Sequence, residues 1–168
     1  MKKIIIVGSP GAGKTTFANN ICRLLELPVY HLDSIWYNPD KTHIPKNEFD
    51  NKIRKIMEGD KWVLDGNYTR TMEERIEKCD TVFFLDYPLE VCLNGIQSRV
   101  GVKRDDLPWI ETELNEVFRM YVVNFPAENI PKIYDILEKY KHEKEIHIFK
   151  NRKEAEDFLK TLTKEEAL

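Results

Sequence analysis

Within eight residues near its start the chain sets three glycines, a lysine and a threonine, Gly8-Ser9-Pro10-Gly11-Ala12-Gly13-Lys14-Thr15, at the spacing G-x-x-x-x-G-K-[ST]. The chemistry open to such a loop is the holding of polyphosphate. A triphosphate concentrates negative charge, and backbone N–H groups at a helix N-terminus, where the macrodipole is positive, can wrap it. Gly8, Gly11 and Gly13 permit backbone angles and a close approach that side chains would block. Pro10 has no N–H to donate and stiffens the loop. Lys14 is placed to reach the β- and γ-phosphates and the Thr15 hydroxyl to ligate Mg²⁺. The loop therefore predicts ATP or GTP with Mg²⁺ as cofactors, held through Gly8, Pro10, Gly11, Ala12, Gly13, Lys14, Thr15 and Thr16.

Two acids close short apolar runs. Tyr30-His31-Leu32-Asp33 ends on a carboxylate that can accept a proton from a substrate hydroxyl or hold Mg²⁺ through water. As a purely structural residue Asp33 would cap a turn containing Ser34. His31 reads as a packed polar residue. Trp62-Val63-Leu64-Asp65-Gly66-Asn67-Tyr68-Thr69-Arg70-Thr71 ends its apolar run on Asp65, and Gly66 then allows a tight turn. Asp65 is a candidate partner of Thr15 at the metal, and Arg70 a candidate clamp for a second anionic group. Asn67-Tyr68-Thr69 also reads as a turn followed by a helix cap. The acceptor candidates are Asp33, Trp36, Arg54, Asp65, Gly66, Asn67, Tyr68 and Arg70, although Arg54 also reads as an exposed helix cation.

A third stretch, Arg99-Val100-Gly101-Val102-Lys103-Arg104-Asp105-Asp106, gathers three cations around a glycine. Arginines stabilise the charge that spreads over a transferring γ-phosphoryl group, and a basic segment closing over it would exclude water. The plainer reading is a solvated helix end. Lys14, Asp33, Arg99 and Arg104 are the candidate catalytic residues. Arg119 reads either as a phosphate contact or as a surface partner of Glu116 or Glu111. Arg152, just past the last apolar run, either stacks on a purine or opens the final helix.

Positioning these residues requires a sheet. Ile4-Ile5-Ile6-Val7 leads into the loop as a buried parallel strand would, and further apolar runs recur at 29–32, 62–64, 81–85 and 146–149. Helical spacing separates them, over 16–26, 45–58, 69–78, 89–100, 108–124, 133–140 and 152–163, with Pro126 and Pro131 as breakers. Alternating strands and helices predict a parallel sheet with right-handed crossovers. Ligands of such sheets bind beyond the strand C-termini, where Gly8, Asp33, Asp65, Asp86 and Asn151 fall. Residues 164–168 are expected to fray.

The 168 residues suit one domain. A net charge of −3 gives no overall electrostatic case for nucleic acid. The apolar runs are too short to cross a bilayer and no signal peptide is visible. Cys22, Cys79 and Cys92 are scattered and odd in number, and read as buried thiols of a reducing cytoplasm.

Residues 8–16, 28–33, 62–71, 81–88, 104–109 and 124–126 together give a resemblance covering nearly the whole chain. The sequence resembles the small phosphate-loop kinases related to adenylate kinase, and more closely the bacterial DNA topology modulation proteins; Asp65-Gly66-Asn67-Tyr68 and Asn124-Phe125-Pro126 narrow it to that group. The resemblance implies a three-layer α/β/α fold around a five-stranded parallel sheet in the order 2-3-1-4-5, an acceptor flap over about 34–60 and a short lid over about 99–108. It also implies a kinase that passes the ATP γ-phosphoryl group to a small acceptor: a nucleoside, a nucleotide or another hydroxyl compound. In adenylate kinases the arginine after the third strand stands one residue earlier than Arg70, and the lid arginines are four rather than five apart. Both departures weaken the case for AMP. The rival expectations are a nucleotide-dependent DNA-binding or regulatory protein, for which these residues supply no helix-turn-helix, zinc site or strongly basic face, and an ATPase without acceptor.

Overall fold

Ile4, Ile5, Ile6 and Val7 are shut off from solvent because their strand runs through the middle of a sheet covered on both faces. The computed structural model describes residues 1–165; of the segment 164–168 expected to fray, Lys164 and Glu165 belong to the last helix and 166–168 lie outside the described residues. In chain order the elements are β1 (Lys3–Gly8), α1 (Lys14–Leu25), β2 (Val29–His31), α2 (Leu32–Trp36), α3 (Lys46–Met57), β3 (Trp62–Asp65), α4 (Thr69–Lys78), β4 (Thr81–Leu85), α5 (Leu89–Gln97), α6 (Glu116–Glu128), α7 (Ile130–Tyr140), β5 (Glu145–Phe149) and α8 (Arg152–Glu165). All strand pairings within the sheet are parallel and its order is β2-β3-β1-β4-β5, as expected.

Strand side chains alternate, so β1 feeds two cores. Ile4 and Ile6 join Phe17, Ile21 and Phe83 on one face, beneath α1 and α8. Ile5 and Val7 join Phe49, Ile53, Met72 and Phe84 on the other, beneath α3, α4 and α7. Ile6 is in register with Asp65, and Gly8 with Leu85, so three strands deliver their C-terminal residues to one edge. Cys22, Cys79 and Cys92 are buried free thiols.

Three expectations need correction. Asp33 does not end a strand; β2 stops at His31 and Asp33 lies in the first turn of α2. The helix expected over 108–124 begins only at Glu116, where the Asn115 side chain accepts the Phe118 N–H at 3.1 Å as an N-cap. Residues 101–115 are irregular instead, closed by a Gly101 N–H to Glu111 C=O bond of 2.7 Å and by Arg104 bonding to Asp106 and Glu111. Pro126 does not break the pattern. It sits inside α6, which runs on to Glu128, and Pro131 occupies the first turn of α7, where a missing N–H costs nothing. Among the described residues no helix is long and apolar enough to cross a membrane.

Candidate functional site

The phosphate-type loop is positioned by its backbone. A Cβ on Gly11 would lie 2.0 Å from the Cys92 carbonyl oxygen, and one on Gly95 2.0 Å from the Gly11 carbonyl oxygen. Only two glycines let the loop rest directly on α5. Gly13, at φ 93°, caps α1 in the left-handed region without a side-chain hydrogen bond, and the first turn of α1 carries no acid. The protein therefore leaves the positive end of this helix unneutralised. Lys14 is half-buried with its Nζ 3.2 Å from the Ser9 carbonyl. Burial pulls its ammonium below the ordinary value, with Asp65 opposing and Arg99 adding to the shift.

The turn after β3 is tied to this loop. Asn67 grips Gly8 twice: its Oδ1 accepts the Gly8 N–H at 3.0 Å and its Nδ2 donates to the Gly8 carbonyl at 2.8 Å. Asn67 is held in turn by Arg75 of α4, which is fully buried. Arg75 donates to the carbonyls of Gly66 at 2.9 Å and Tyr68 at 3.2 Å, and also to that of Asn67. No carboxylate pairs with it among the described residues, and burial pushes its guanidinium down to about 10. The sequence reading missed Arg75. The available signal was its spacing: the buried residues of α4 are Thr71, Met72, Arg75 and Ile76, so this cation lies on the apolar stripe.

Asp65 meets Thr15 and His31. The Thr15 hydroxyl donates to Asp65 Oδ2 at 3.0 Å, and His31 Nδ1 lies 2.8 Å from the same oxygen. Burial disfavours a charged His31, but the hydrogen bond and charge of Asp65 outweigh it and raise the imidazole above its ordinary value. His31 thus acts as a proton donor to Asp65 rather than as packing alone. The Thr15–Asp65 oxygen separation matches the edge of an octahedron with bonds of about 2.1 Å, so these hard donors fit a Mg²⁺ ion. No group of three or more His, Cys, Asp or Glu side chains is arranged for a metal among the described residues.

Asp33 stands across from Lys14. Its Oδ1 accepts the Tyr68 hydroxyl at 2.6 Å. Burial raises its carboxyl above the ordinary range, against the pull of that hydrogen bond and of Lys14. The Arg99 side chain forms no hydrogen bond or ion pair among the described residues; burial, then the nearby Arg104 charge, lowers its guanidinium. Arg104 is engaged, bonding Asp106 at 2.9 and 2.5 Å and Glu111 at 3.0 Å. Burial pushes Asp106 up, but hydrogen bonds from Arg104 and the charges of both arginines outweigh it and hold the carboxyl below its usual range.

Two cavities open here. One of about 600 Å³ takes in Pro10, Lys14, Asp33, Trp36, Asp65 and Gly66, with Asn67 and Tyr68. The other, about 330 Å³, is bounded by Gly11, Gly13, Thr16, Lys103 and Arg152. Thr15, Arg99, Arg104 and Asp106 border both. Gly8 and Ala12 are buried in the loop behind them. Two expected acceptor contacts are elsewhere. Arg54 forks onto Glu74 at 2.7 and 3.1 Å, Arg70 forks onto Asp50, and neither borders either of these two cavities, because α3 and α4 pair these groups with each other. Arg119 pairs with Glu116 at 3.3 Å. Asp86 is taken up by Tyr134 and Lys150, and Asn151 caps α8 by accepting the Glu154 N–H at 3.0 Å.

No protein-family model matches the chain. In sequence it is similar to an adenylate kinase of Thermosipho africanus (strain TCF52B), with 25% identity over 141 residues. That match takes in 80% of this chain and 64% of the relative, so the chain spans under two thirds of the curated protein's length. In structure it is similar to a shikimate kinase from Bacteroides thetaiotaomicron, with a TM-score of 0.55, 18% identity and 98% of each chain covered. This second likeness concerns the fold: a five-stranded parallel sheet between helices, as in phosphate-loop kinases. The chain is kinase-like in architecture.

Proposed function

We propose that the protein is a Mg²⁺-dependent phosphotransferase that moves the γ-phosphoryl group of a nucleoside triphosphate, ATP or GTP, to a hydroxyl of a small acceptor. The observation that carries this reading is the junction of the two cavities at Thr15, Arg99, Arg104 and Asp106. A donor in the smaller cavity and an acceptor in the larger one would meet there, beside the start of α1.

In this reading the loop amides and Lys14 hold the β- and γ-phosphates, Thr15 and Asp65 hold the cation, and Arg152 lies beside the purine. A magnesium ion there neutralises charge developing on the phosphate oxygens. His31 keeps Asp65 oriented through its 2.8 Å contact. Asp33 accepts the proton of the attacking hydroxyl, and its raised pKa moves it toward the range useful for a general base. Arg99 is free to face the transferring group; Arg104 must leave Asp106 and Glu111 to join it. Residues 34–60 serve as the acceptor flap and 99–108 as the lid.

The test is calorimetric titration of the folded protein with ATP and GTP in Mg²⁺, followed by detection of phosphorylated product on an acceptor panel. Failure of both nucleotides to bind overturns the reading.

A further inference from the structure

Resting on the phosphotransferase reading, we infer that the acceptor is an uncharged alcohol built on a flat ring, of nucleoside size, and not a nucleotide or a carboxylic acid. The argument starts from the charges around the larger cavity. The cations bordering it are Lys14, Lys41, Arg99 and Arg104. Lys14 and Arg99 stand at the phosphate loop and the cavity junction, where the triphosphate requires them. Arg104 already faces two carboxylates, Asp106 and Glu111. Lys41 is exposed, with its Nζ 5.9 Å above the Trp109 ring, and one solvent-screened ammonium is a weak seat for a phosphate. Arg70, whose position suggested an anion clamp, and Arg54, the other arginine among the acceptor candidates, are consumed by Asp50 and Glu74 outside the cavity.

The acceptor end presents the opposite sign. Among the described residues Asp33 has no cationic partner within ion-pair distance; its Oδ1 takes the Tyr68 hydroxyl and its Oδ2 has no hydrogen-bond partner. A neutral hydroxyl satisfies that oxygen, whereas a second phosphate or carboxylate would be repelled by it. The walls there are aromatic. Trp109 and Tyr37 meet edge to face at 5.2 Å and 83°, and Trp36 and Tyr121 border the same space. Such faces suit a flat ring. Asn129 adds an amide able to hydrogen-bond uncharged edges. The step balances simply: the acceptor oxygen forms its bond to the γ-phosphorus, the bond from that phosphorus to the β,γ-bridging oxygen breaks, the diphosphate leaves with the electron pair, and Asp33 takes the hydroxyl proton.

The test compares matched pairs on the full chain with MgATP: adenosine with AMP, cytidine with CMP, guanosine with GMP, thymidine with dTMP, and a cyclic alcohol with and without a carboxylate. MgATP binding is measured separately by calorimetry. We expect phosphorylation of at least one uncharged member, with kcat/KM at least tenfold above its anionic partner. In Asp33→Asn, with MgATP binding retained, the anionic partner should bind at least tenfold more tightly than in wild type. Preference for the anionic members, or MgATP binding with transfer to none of the uncharged ones, overturns the inference and leaves nucleotide binding standing. Absence of MgATP binding removes the phosphotransferase reading, and this inference with it.

Discussion

Around the phosphate-type loop, position is set by main chain: Gly11 and Gly95 meet with no side chain between them, and the Asn67 and Arg75 side chains bond backbone groups. Across the cavity, residues 101–115 carry no helix or strand and are held largely by side chains, chiefly Arg104 against Asp106 and Glu111 and Trp109 against Tyr37. Backbone contacts between buried elements leave few alternative arrangements, whereas ion pairs can be exchanged for a ligand. The comparison teaches a division of labour: one wall is set before any ligand arrives and the other can be remade around it.

Four substitutions break or sharpen this contrast. The largest effect belongs to Lys14→Ala on the fixed wall. Loss of one preorganised charge should lower turnover by about 10²-fold or more in an assay of phosphoryl transfer, and undiminished turnover would defeat the assignment. Next is Arg75→Leu, which strands three backbone carbonyls behind the Asn67 turn. The expected cost is about 3 kcal/mol in urea unfolding, with weakened nucleotide binding because the grip on Gly8 loosens; unchanged stability would show that the turn needs no clamp.

Arg104→Ala probes the remade wall and should cost less, about 2 kcal/mol at neutral pH, since Arg104 and its second partner Glu111 keep some access to water although Asp106 is buried. Its pH dependence gives the sign. Asp106 titrates below its usual range when folded, so the stability it contributes is present above the unfolded carboxyl pKa of about 4 and is lost as pH falls through the folded value. Wild type and variant should therefore converge in urea midpoint between pH 7 and pH 3; a constant gap would sink the ion-pair explanation. Arg70→Ala ranks last, with little change in urea midpoint and wild-type transfer rates, because the Arg70 guanidinium is exposed and borders neither cavity. A strong rise in KM for the acceptor would return Arg70 to the site.

The fixed wall was legible in the sequence because its signals are local. An apolar run, a glycine spacing and a helical period meet within twenty-odd residues, and Asp65 announces itself by ending a second apolar run. The remade wall was not. Helical spacing over 108–124 competed with the Asn115 cap and with ion pairs that periodicity does not register. Arg54 and Arg70 looked like acceptor contacts because their acids, Glu74 and Asp50, lie twenty residues away and become neighbours only when α3 packs on α4. Arg75 was hidden for the converse reason: a cation in the last turn of a helix reads as solvated, and its burial depends on carbonyls that the Gly66 turn supplies.

The Gly11–Gly95 contact has a kinematic consequence. Arg99 follows Gly95 by about one helical turn, and its N–H still reaches the Ile96 carbonyl at 3.3 Å. With no methyl group to act as a spacer, α5 cannot slide along the loop without backbone collision, so Arg99 must travel with the amides rather than with Arg104. In the proposed reading the hinge of the lid over 99–108 then falls near Gly101, with Arg99 at its fixed root and Arg104 beyond it.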